Sequence, residues 1–336
     1  MADNAGFPRL LGDVGGTNAR WAWQAAPGVA LDPVQVLACV DYPTIEACLR
    51  GFLESHRLPA PRAVAFGIAT AVTGDAVQMT NHPWRFSIEA LRASIGAERL
   101  VVLNDFEALA HAVPVLGAAD LVAVGNGQAV AGANLAVIGP GTGLGVSGLV
   151  ADGRGDWRVV VGEGGHVSLP AATPREASLL AVLRERFGHV SAERALSGPG
   201  LVNLYEAACV LDGESAAALD PADVMARGLG DVDGGPSRAR AATDTQCAEA
   251  VRTFAALLGN VAGNLALTLG ARGGVFIGGG IVPRLGARFA ALPFRERFES
   301  KGRFRGYLET IPTWVIAADA PALVGAARAL DRGSPA

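Results

Sequence analysis

The sequence predicts an α/β layer fold built twice. Three observations point to it. Short apolar strands are followed by helical stretches along most of the chain. A strand, a glycine turn and a second strand open the chain at residues 10–23, and the pattern returns at residues 135–150, with Gly12 matched by Gly139 and Gly16 by Gly143. The 336 residues are enough for two domains, each with its own core. The break between them is expected at residues 114–120.

In chain order, residues 10–14 form the first strand. Gly15 and Gly16 supply a turn that can reach positive φ. Residues 19–23 alternate small and large, so both tryptophans share one face. Residues 34–40 read as a third strand. Residues 44–56 have helical spacing, with Ile45, Cys48, Leu49, Phe52 and Leu53 on one side and Thr44 placed to cap. Residues 63–69 are a compact apolar strand, and Gly74-Asp75 turns the chain into another at 77–80. Asn81-His82-Pro83-Trp84 is a polar-aromatic loop, and 87–95 is a short helix capped by Ser87. A strand at 100–103 runs into Asn104-Asp105, and 106–113 is helical.

The second half continues in kind. Strands at 135–138 and 146–150 flank the turn Gly139-Pro140-Gly141-Thr142-Gly143-Leu144-Gly145. A dinucleotide fingerprint is a poor reading of that turn, because the fingerprint must open a helix and residues 146–150 favour a strand. A strand at 157–161 leads to Gly162-Glu163-Gly164-Gly165-His166. Helices are expected at 174–187, 200–211 and 221–229. A polar loop follows at 230–237, and its Asp231-Val232-Asp233-Gly234 is too short for a calcium loop. Residues 244–269 form a long apolar helix, with Gly259 and Gly263 where close packing helps. Residues 273–280 are a strand ending in three glycines, and a helix begins at Ile281-Val282-Pro283. The last strand is 314–317 and the last helix 321–330.

Composition excludes several classes. Half the residues are apolar, 18% are charged and the net charge is −4. No basic run exists, which argues against nucleic acid as a partner. Lys301 is the only lysine, so a Walker loop with its Gly-Lys-Ser/Thr is absent. Cys39, Cys48, Cys209 and Cys247 are widely spaced with no Cys-x-x-Cys. This fits reduced thiols in a cytoplasm, not a disulfide frame or a zinc site. No basic segment followed by an apolar run opens the chain, so no secretion signal is expected. Residues 122–151 lack formal charge over a membrane-spanning length, but their glycines, Pro140 and Asn134 predict strands and loops, and no membrane partner.

The candidate chemistry sits at the turns. In Gly12-Asp13-Val14-Gly15-Gly16-Thr17, bare glycines let backbone N–H groups approach an anion. Asp13 would repel phosphate unless a cation lay between them. The set therefore reads either as a nucleotide-phosphate clamp with Mg²⁺ or as an ordinary hairpin with an aspartate near its turn. Gly278-Gly279-Gly280 either leaves room for a flat ring or a ribose, or is a helix-entry turn without a ligand. Asn104-Asp105 is either a helix cap or the seat of a general base at the carboxyl end of a strand. An ionised Asp105 there can take a proton from a substrate hydroxyl as its oxygen attacks phosphorus. Glu163 reads as solvated or as pointing into a cleft, uncrowded by its glycines. Glu193 reads as a surface ion pair or as a ligand. With Asn104, Asp105 and His166 they form the acceptor-rich set that a sugar's hydroxyls require.

These residues resemble a known family. Residues 11–20, 80–84, 104–106, 139–145, 162–166, 188–203 and 273–283 are similar, in order, to the bacterial glucokinases of the hexokinase-like, actin-fold superfamily. The stretches Gly188-His189-Val190-Ser191-Ala192-Glu193-Arg194 and Leu196-Ser197-Gly198-Pro199-Gly200-Leu201-Val202-Asn203-Leu204-Tyr205 carry the resemblance furthest. It implies a duplicated, ribonuclease H-like fold of two domains with a cleft between them. The smaller would be residues 1–115 with 318–336, the larger 116–317. It implies ATP-dependent phosphorylation of glucose on its 6-hydroxyl, with Asp105 as base and Asn104, Asp105, Glu163, His166 and Glu193 on the sugar. Gly12, Asp13, Val14, Gly15, Gly16 and Thr17 would form one phosphate turn. Gly139, Gly141, Thr142 and Gly143 would form the other, with Gly278, Gly279 and Gly280 by the adenosine. Asp13 would position Mg²⁺, through water. A homodimer is implied. The related repressor–kinase group carries a cysteine-rich zinc motif beside its histidine. No cysteine lies near His166, so neither that group nor a structural zinc is expected. Pro140 removes one N–H from the second turn. The rival readings are a kinase for another hexose, a non-enzymatic sugar sensor on the same fold, and an actin-fold ATPase without a sugar.

Overall fold

The computed structural model describes residues 6–230 and 238–332, and of 238–243 the backbone only. The chain begins with β1 (Arg9–Val14), β2 (Asn18–Gln24) and β3 (Val34–Ala38). It continues through α1 (Ile45–Ser55), β4 (Ala63–Ile68), β5 (Ala76–Gln78), β6 (Arg85–Ser87), α2 (Ile88–Ser94), β7 (Arg99–Asn104) and α3 (Asp105–Ala112). Then come β8 (Leu121–Val124), β9 (Leu135–Pro140), β10 (Leu144–Ala151) and β11 (Trp157–Val161). Four helices follow: α4 (Pro174–Phe187), α5 (Gly198–Asp212), α6 (Pro221–Gly228) and α7 (Arg238–Leu269). The described chain closes with β12 (Gly274–Ile277), α8 (Val282–Leu285), α9 (Phe294–Glu299), α10 (Arg305–Glu309), β13 (Thr313–Ile316) and α11 (Pro321–Arg332). It divides into two compact units, Met1–Gly117 with Ala318–Ala336 and Ala118–Ala317.

Most helix starts are fixed by side chains the sequence places there. Thr44, Ser87, Thr173 and Ser197 each accept the backbone N–H three residues on, satisfying a donor the helix leaves open. Some bounds differ from expectation. β3 stops at Ala38, and Cys39–Asp41 forms a 3-10 turn. β12 stops at Ile277, so the three glycines lie beyond the strand. The helix after Pro283 is a single turn, ended by Gly286 at φ +53°. β8 lies directly after the expected break, in residues that gave no strand signal. Of the expected polar loop at 230–237, all but Gly230 lies outside the described residues, Asp231 to Gly234 included.

Both units are built on one sheet plan. The first sheet runs β3-β2-β1-β4-β7, with β1–β2 and β2–β3 antiparallel and β1–β4 and β4–β7 parallel. The second runs β11-β10-β9-β12-β13-β8, with the same directions through β13 and β8 added at the edge. The repeated strand–turn–strand pattern therefore marks equivalent hairpins. In each, the first turn residue donates its N–H back across the turn: Gly15 to Asn18 O at 2.9 Å, Gly141 to Gly143 O at 2.8 Å. By that criterion Gly15 matches Gly141, one residue out of step with the Gly12–Gly139 spacing; the second turn is also one residue shorter between its paired ends, Pro140 and Leu144, than the first between Val14 and Ala19.

Period-two alternation sets the two faces of the first sheet. Leu10, Trp21, Trp23, Phe66 and Ile68 pack on one side with α1's Phe52 and Leu49. Leu11, Ala22, Ala63 and Ala65 face α11, meeting Leu323, Ala326 and Leu330. The alanines keep that second face flat, so α11 and α3 can lie close to it. Gly325 of α11 sits against the Ala108 carbonyl, where a Cβ would overlap it. The Arg9–Asp331 ion pair at 2.7 Å and the hydrogen bonds from Arg99 to the Leu330 and Ala329 carbonyls fasten the last turn of α11.

The second unit is packed around α7. By length and composition its 244–269 stretch could cross a membrane, yet it is largely buried inside the unit. Val251, Phe254, Leu257, Leu258 and Val261 belong to the unit's core. Gly259 and Gly263 lie against the backbone carbonyls of Phe294 and Phe298, which lets α9 approach as the glycines require. Residues 122–151 fold as β8, β9, β10 and their connections.

Candidate functional site

The chemistry of the first unit gathers where β1, β4 and β7 end together. Their register aligns Asp13 with Gly67 and Gly67 with Leu103. β7 runs straight into α3, whose first residue is Asp105. Gly67 lies under that junction: a methyl group there would come 2.9 Å from Ala108 Cβ and 3.4 Å from Asp105 Cα. The missing side chain lets α3 start directly over the strand ends.

Asn104 is the cap of α3. The Phe106 N–H donates to Asn104 Oδ1 at 2.9 Å and to Asp105 Oδ1 at 3.0 Å, and Asn104 Nδ2 donates to Thr70 O at 3.2 Å. The cap reading of Asn104 is therefore real, and its side chain also hydrogen-bonds the Asp105 carboxylate. Burial raises the Asp105 pKa to about 6; the Phe106 N–H opposes this, and the nearby charge of Asp13 adds to it. Burial also raises Asp13, opposed by the charge of Arg20, its cross-strand partner. A carboxylate with a pKa near 6 is ionised at neutral pH and is a better base than an ordinary aspartate.

The first glycine turn is braced from behind by Cys39. The Cys39 N–H donates to Thr17 O at 2.8 Å, and its Sγ lies 3.5 Å from Gly15 O. Fixing the Gly15 carbonyl fixes the plane of the Gly15–Gly16 peptide, so the Gly16 N–H opposite it is held outward. Among the described residues, the N–H groups of Gly16 and Thr17 have no acceptor. Neither Gly15 nor Gly16 takes the positive φ expected of them. Glycine serves there for room: a Cβ on Gly16 would lie 3.1 Å from Asn81 Cβ and Asn81 O. Gly12 is bare for another reason, since the Trp21 ring fills the place of its side chain, and the Val14 side chain is buried in the core. At both positions only the backbone remains for a ligand.

In the second unit the remaining candidates converge on the β9–β10 turn. Among the described residues the N–H groups of Thr142 and Gly143 have no acceptor. Gly278 to Gly280 run alongside the turn: the Gly278 N–H donates to Ile138 O at 2.9 Å and the Ile281 N–H to Pro140 O at 3.2 Å. A Cβ on Gly139 would lie 2.5 Å from Gly278 C. Gly279 has φ +78° and presses on Pro140 O, so both its backbone and its space demand glycine. Pro140 offers no N–H, and the N–H of Leu144 opposite it is taken by Glu193 Oε2 at 2.9 Å.

Glu163 precedes a 3-10 turn, Gly164–His166, that ends on His166 and lies beside the segment carrying Glu193. The Ala192 N–H donates to Val167 O at 2.8 Å and the Leu169 N–H to Val190 O at 3.0 Å, which sets the two segments side by side. His166 Nε2 lies 3.9 Å from Glu163 Oε2, with both side chains about three-fifths exposed at 60% and 64%. The glycines beside Glu163 do not simply uncrowd it. Gly164 packs on Val146 and Gly165 on the Leu144 carbonyl, so they seat this segment against the turn.

The structure thus brings Asp13, Gly15 to Thr17, Asn104 and Asp105 together in one unit. In the other it brings together Gly139 to Gly143, Gly278 to Gly280, Glu163, His166 and Glu193. Three contributors carried no local signal: Gly67 in an apolar strand, Arg20 opposite Asp13, and Cys39 behind the turn. Only strand register could have exposed them.

A Mg²⁺ ion fits the first group in part. Two half-buried carboxylates with raised pKa values would be relieved by a cation beside them. Among the described residues no three of His, Cys, Asp and Glu cluster as metal ligands, so the remaining ligands would be water and phosphate oxygens.

The family model described as glucokinase matches residues 10–333. A glucokinase of Aromatoleum aromaticum is 53% identical over 326 residues, covering 97% of this chain and 95% of the relative. The crystal structure of a glucokinase from an Antarctic psychrotroph superposes with a TM-score of 0.84 at 34% identity, over 97% of this chain and 99% of that one. A ROK family glucokinase from Streptomyces griseus, solved with glucose and AMPPNP, shares the fold with a TM-score of 0.61. It is 21% identical, over 97% of this chain and 100% of that one.

Proposed function

The chain belongs to the glucokinase family, and from that premise we propose that it transfers the γ-phosphoryl group of ATP in line to the 6-hydroxyl of glucose, with Asp105 as general base. Asp105 receives the hydroxyl proton as the sugar oxygen attacks phosphorus. Asn104, Glu163, His166 and Glu193 hold the other hydroxyls, matching donors and acceptors around the ring. The open N–H groups of Gly16, Thr17, Thr142 and Gly143 take phosphate oxygens, and Gly278 to Gly280 leave space for the adenosine. Bound Mg²⁺, positioned by Asp13 through water, would offset charge on the phosphate oxygens.

The observation that carries this reading is the carboxylate of Asp105. It stands at the head of α3, half-buried, with Asp13 nearby and a pKa of about 6. Asp105→Ala is expected to lower kcat by at least ~10²-fold, the scale of a lost general base. Glucose binding should weaken but remain measurable by calorimetry. Normal turnover would leave Asp105 as a helix terminus only. ATP consumption against a panel of hexoses, with a no-sugar control, tests the sugar class. Hydrolysis without sugar would favour an ATPase, and faster turnover of mannose or fructose another kinase. We place the enzyme in the cytoplasm, as a homodimer without nucleic-acid or membrane partners. Its four cysteines, all free, support the compartment. Light scattering at twice the chain mass is the expected result for the dimer.

A further inference from the structure

We propose that Glu193 serves both substrates: one carboxylate oxygen holds the second phosphate turn in its binding shape while the other takes a sugar hydroxyl, so each substrate strengthens binding of the other. This rests on the sugar role given to Glu193 above and adds a link to the nucleotide.

Four observations carry it. Glu193 Oε2 accepts the Leu144 N–H at 2.9 Å, at the exit of the turn. Gly198 N–H donates to Gly141 O at 2.8 Å, at the entry of the turn. Segment 193–198 therefore grips the turn at both ends. The segment is itself fixed, because Ser197 Oγ donates to Glu193 O at 2.8 Å and accepts the Gly200 N–H at 3.0 Å as the cap of α5. Finally, a Cβ on Gly143 would overlap Glu193 Oε2, so the turn is shaped around this carboxylate. Glu193 Oε1 has no acceptor or donor partner among the described residues, and it is the oxygen left for the sugar.

The coupling follows from rotamer freedom. Without sugar, the carboxylate is held by one hydrogen bond and the side chain retains alternatives. A sugar hydroxyl on Oε1 fixes the same rotamer that holds Leu144. The ordering cost of the turn is then already met when nucleotide arrives, and by linkage the reverse holds equally. A charge-assisted hydrogen bond of this kind corresponds to about tenfold in affinity.

Calorimetric titration of the full chain with AMPPNP and Mg²⁺, with and without glucose, tests this. In the parent protein glucose should tighten AMPPNP, and AMPPNP should tighten glucose, by the same factor, roughly five- to tenfold. Glu163→Ala should weaken glucose and leave sugar-free AMPPNP affinity unchanged. Glu193→Ala should weaken glucose and also weaken sugar-free AMPPNP about tenfold. Glu193→Gln keeps an oxygen for the Leu144 N–H, so it should restore sugar-free AMPPNP affinity while glucose remains weak. Gly143→Ala, in the nucleotide turn, should weaken glucose by displacing the carboxylate. If Glu193→Ala binds sugar-free AMPPNP like the parent, the link is refuted while the sugar role stands. If Glu193→Ala does not fold, undisturbed glucose binding in Gly143→Ala refutes it instead. If neither Glu163→Ala nor Glu193→Ala changes glucose affinity, the sugar-site reading itself has failed.

Discussion

A carboxylate that must accept a proton at neutral pH gains from being a poor acid, and Asp105 is made so by burial and by its neighbour Asp13. Two outcomes follow at this scale. First, kcat/KM should fall about tenfold per pH unit below about pH 6, as Asp105 is protonated; a pH–rate profile flat to pH 5 would exclude it as the base. Second, the same burial costs stability. The Asp105 pKa in the fold, about 6, lies above its ordinary value of 3.8. The stability gained from its protonated form is complete below pH 3.8 and is lost as the pH rises through 6. Asp105→Asn, which stays neutral and still accepts the Phe106 N–H, should therefore melt at a higher temperature than the parent at pH 7, by up to ~3 kcal/mol in free energy. A lower melting temperature would contradict the burial argument. Asp105 was legible in the sequence because an Asn-Asp pair between a strand and a helix is a local pattern. Gly67 was not, because its reason is a helix turn packed above it. The Glu193 bond to Leu144 spans 49 positions and leaves no local trace.

Elements obey the same logic over longer stretches. Helix starts at Thr44, Ser87 and Thr173 were legible because a capping side chain acts within three residues. β8 was missed because its two central residues are exposed, so the alternation that marks a half-buried strand is absent. The single-turn length of α8 depends on Gly286 and on packing beyond it. The contact of α11 with α3 depends on Gly325, whose role is invisible without the Ala108 carbonyl. Gly325→Leu should destabilise the first unit by about 2 kcal/mol or more, through overpacking, as read by urea unfolding. Val324→Ala, at an exposed neighbouring position, should stay within about 0.5 kcal/mol. Equal effects of the two would mean that helix propensity, not close approach, governs the site.

The whole molecule is two versions of one sheet plan, and the glycine hairpins announced it before any strand pairing was known. The sequence spacing misjudged the equivalence by one residue, because several glycines lie at each turn and spacing alone does not say which pair is equivalent. Which unit the last helix completes is not written in its own residues: an amphipathic helix with alanines would suit many sheets. Its partner is chosen by the flat alanine face of β1, β2 and β4. A chain ending at Ala320 should therefore retain amide-exchange protection in β9, β10 and β12, whose core lies within their own unit, and lose it in β1 and β4. Protection of β1 and β4 without α11 would show that the face needs no cover.

That dependence has a consequence during synthesis. The ribosome finishes α3 long before it makes Pro321, and it must produce the entire second unit in between. Through that interval the nascent first sheet presents Leu11 and its alanines to solvent with nothing laid over them. The first half of the emerging polypeptide is therefore expected to engage holding chaperones until the final helix leaves the exit tunnel and covers that face.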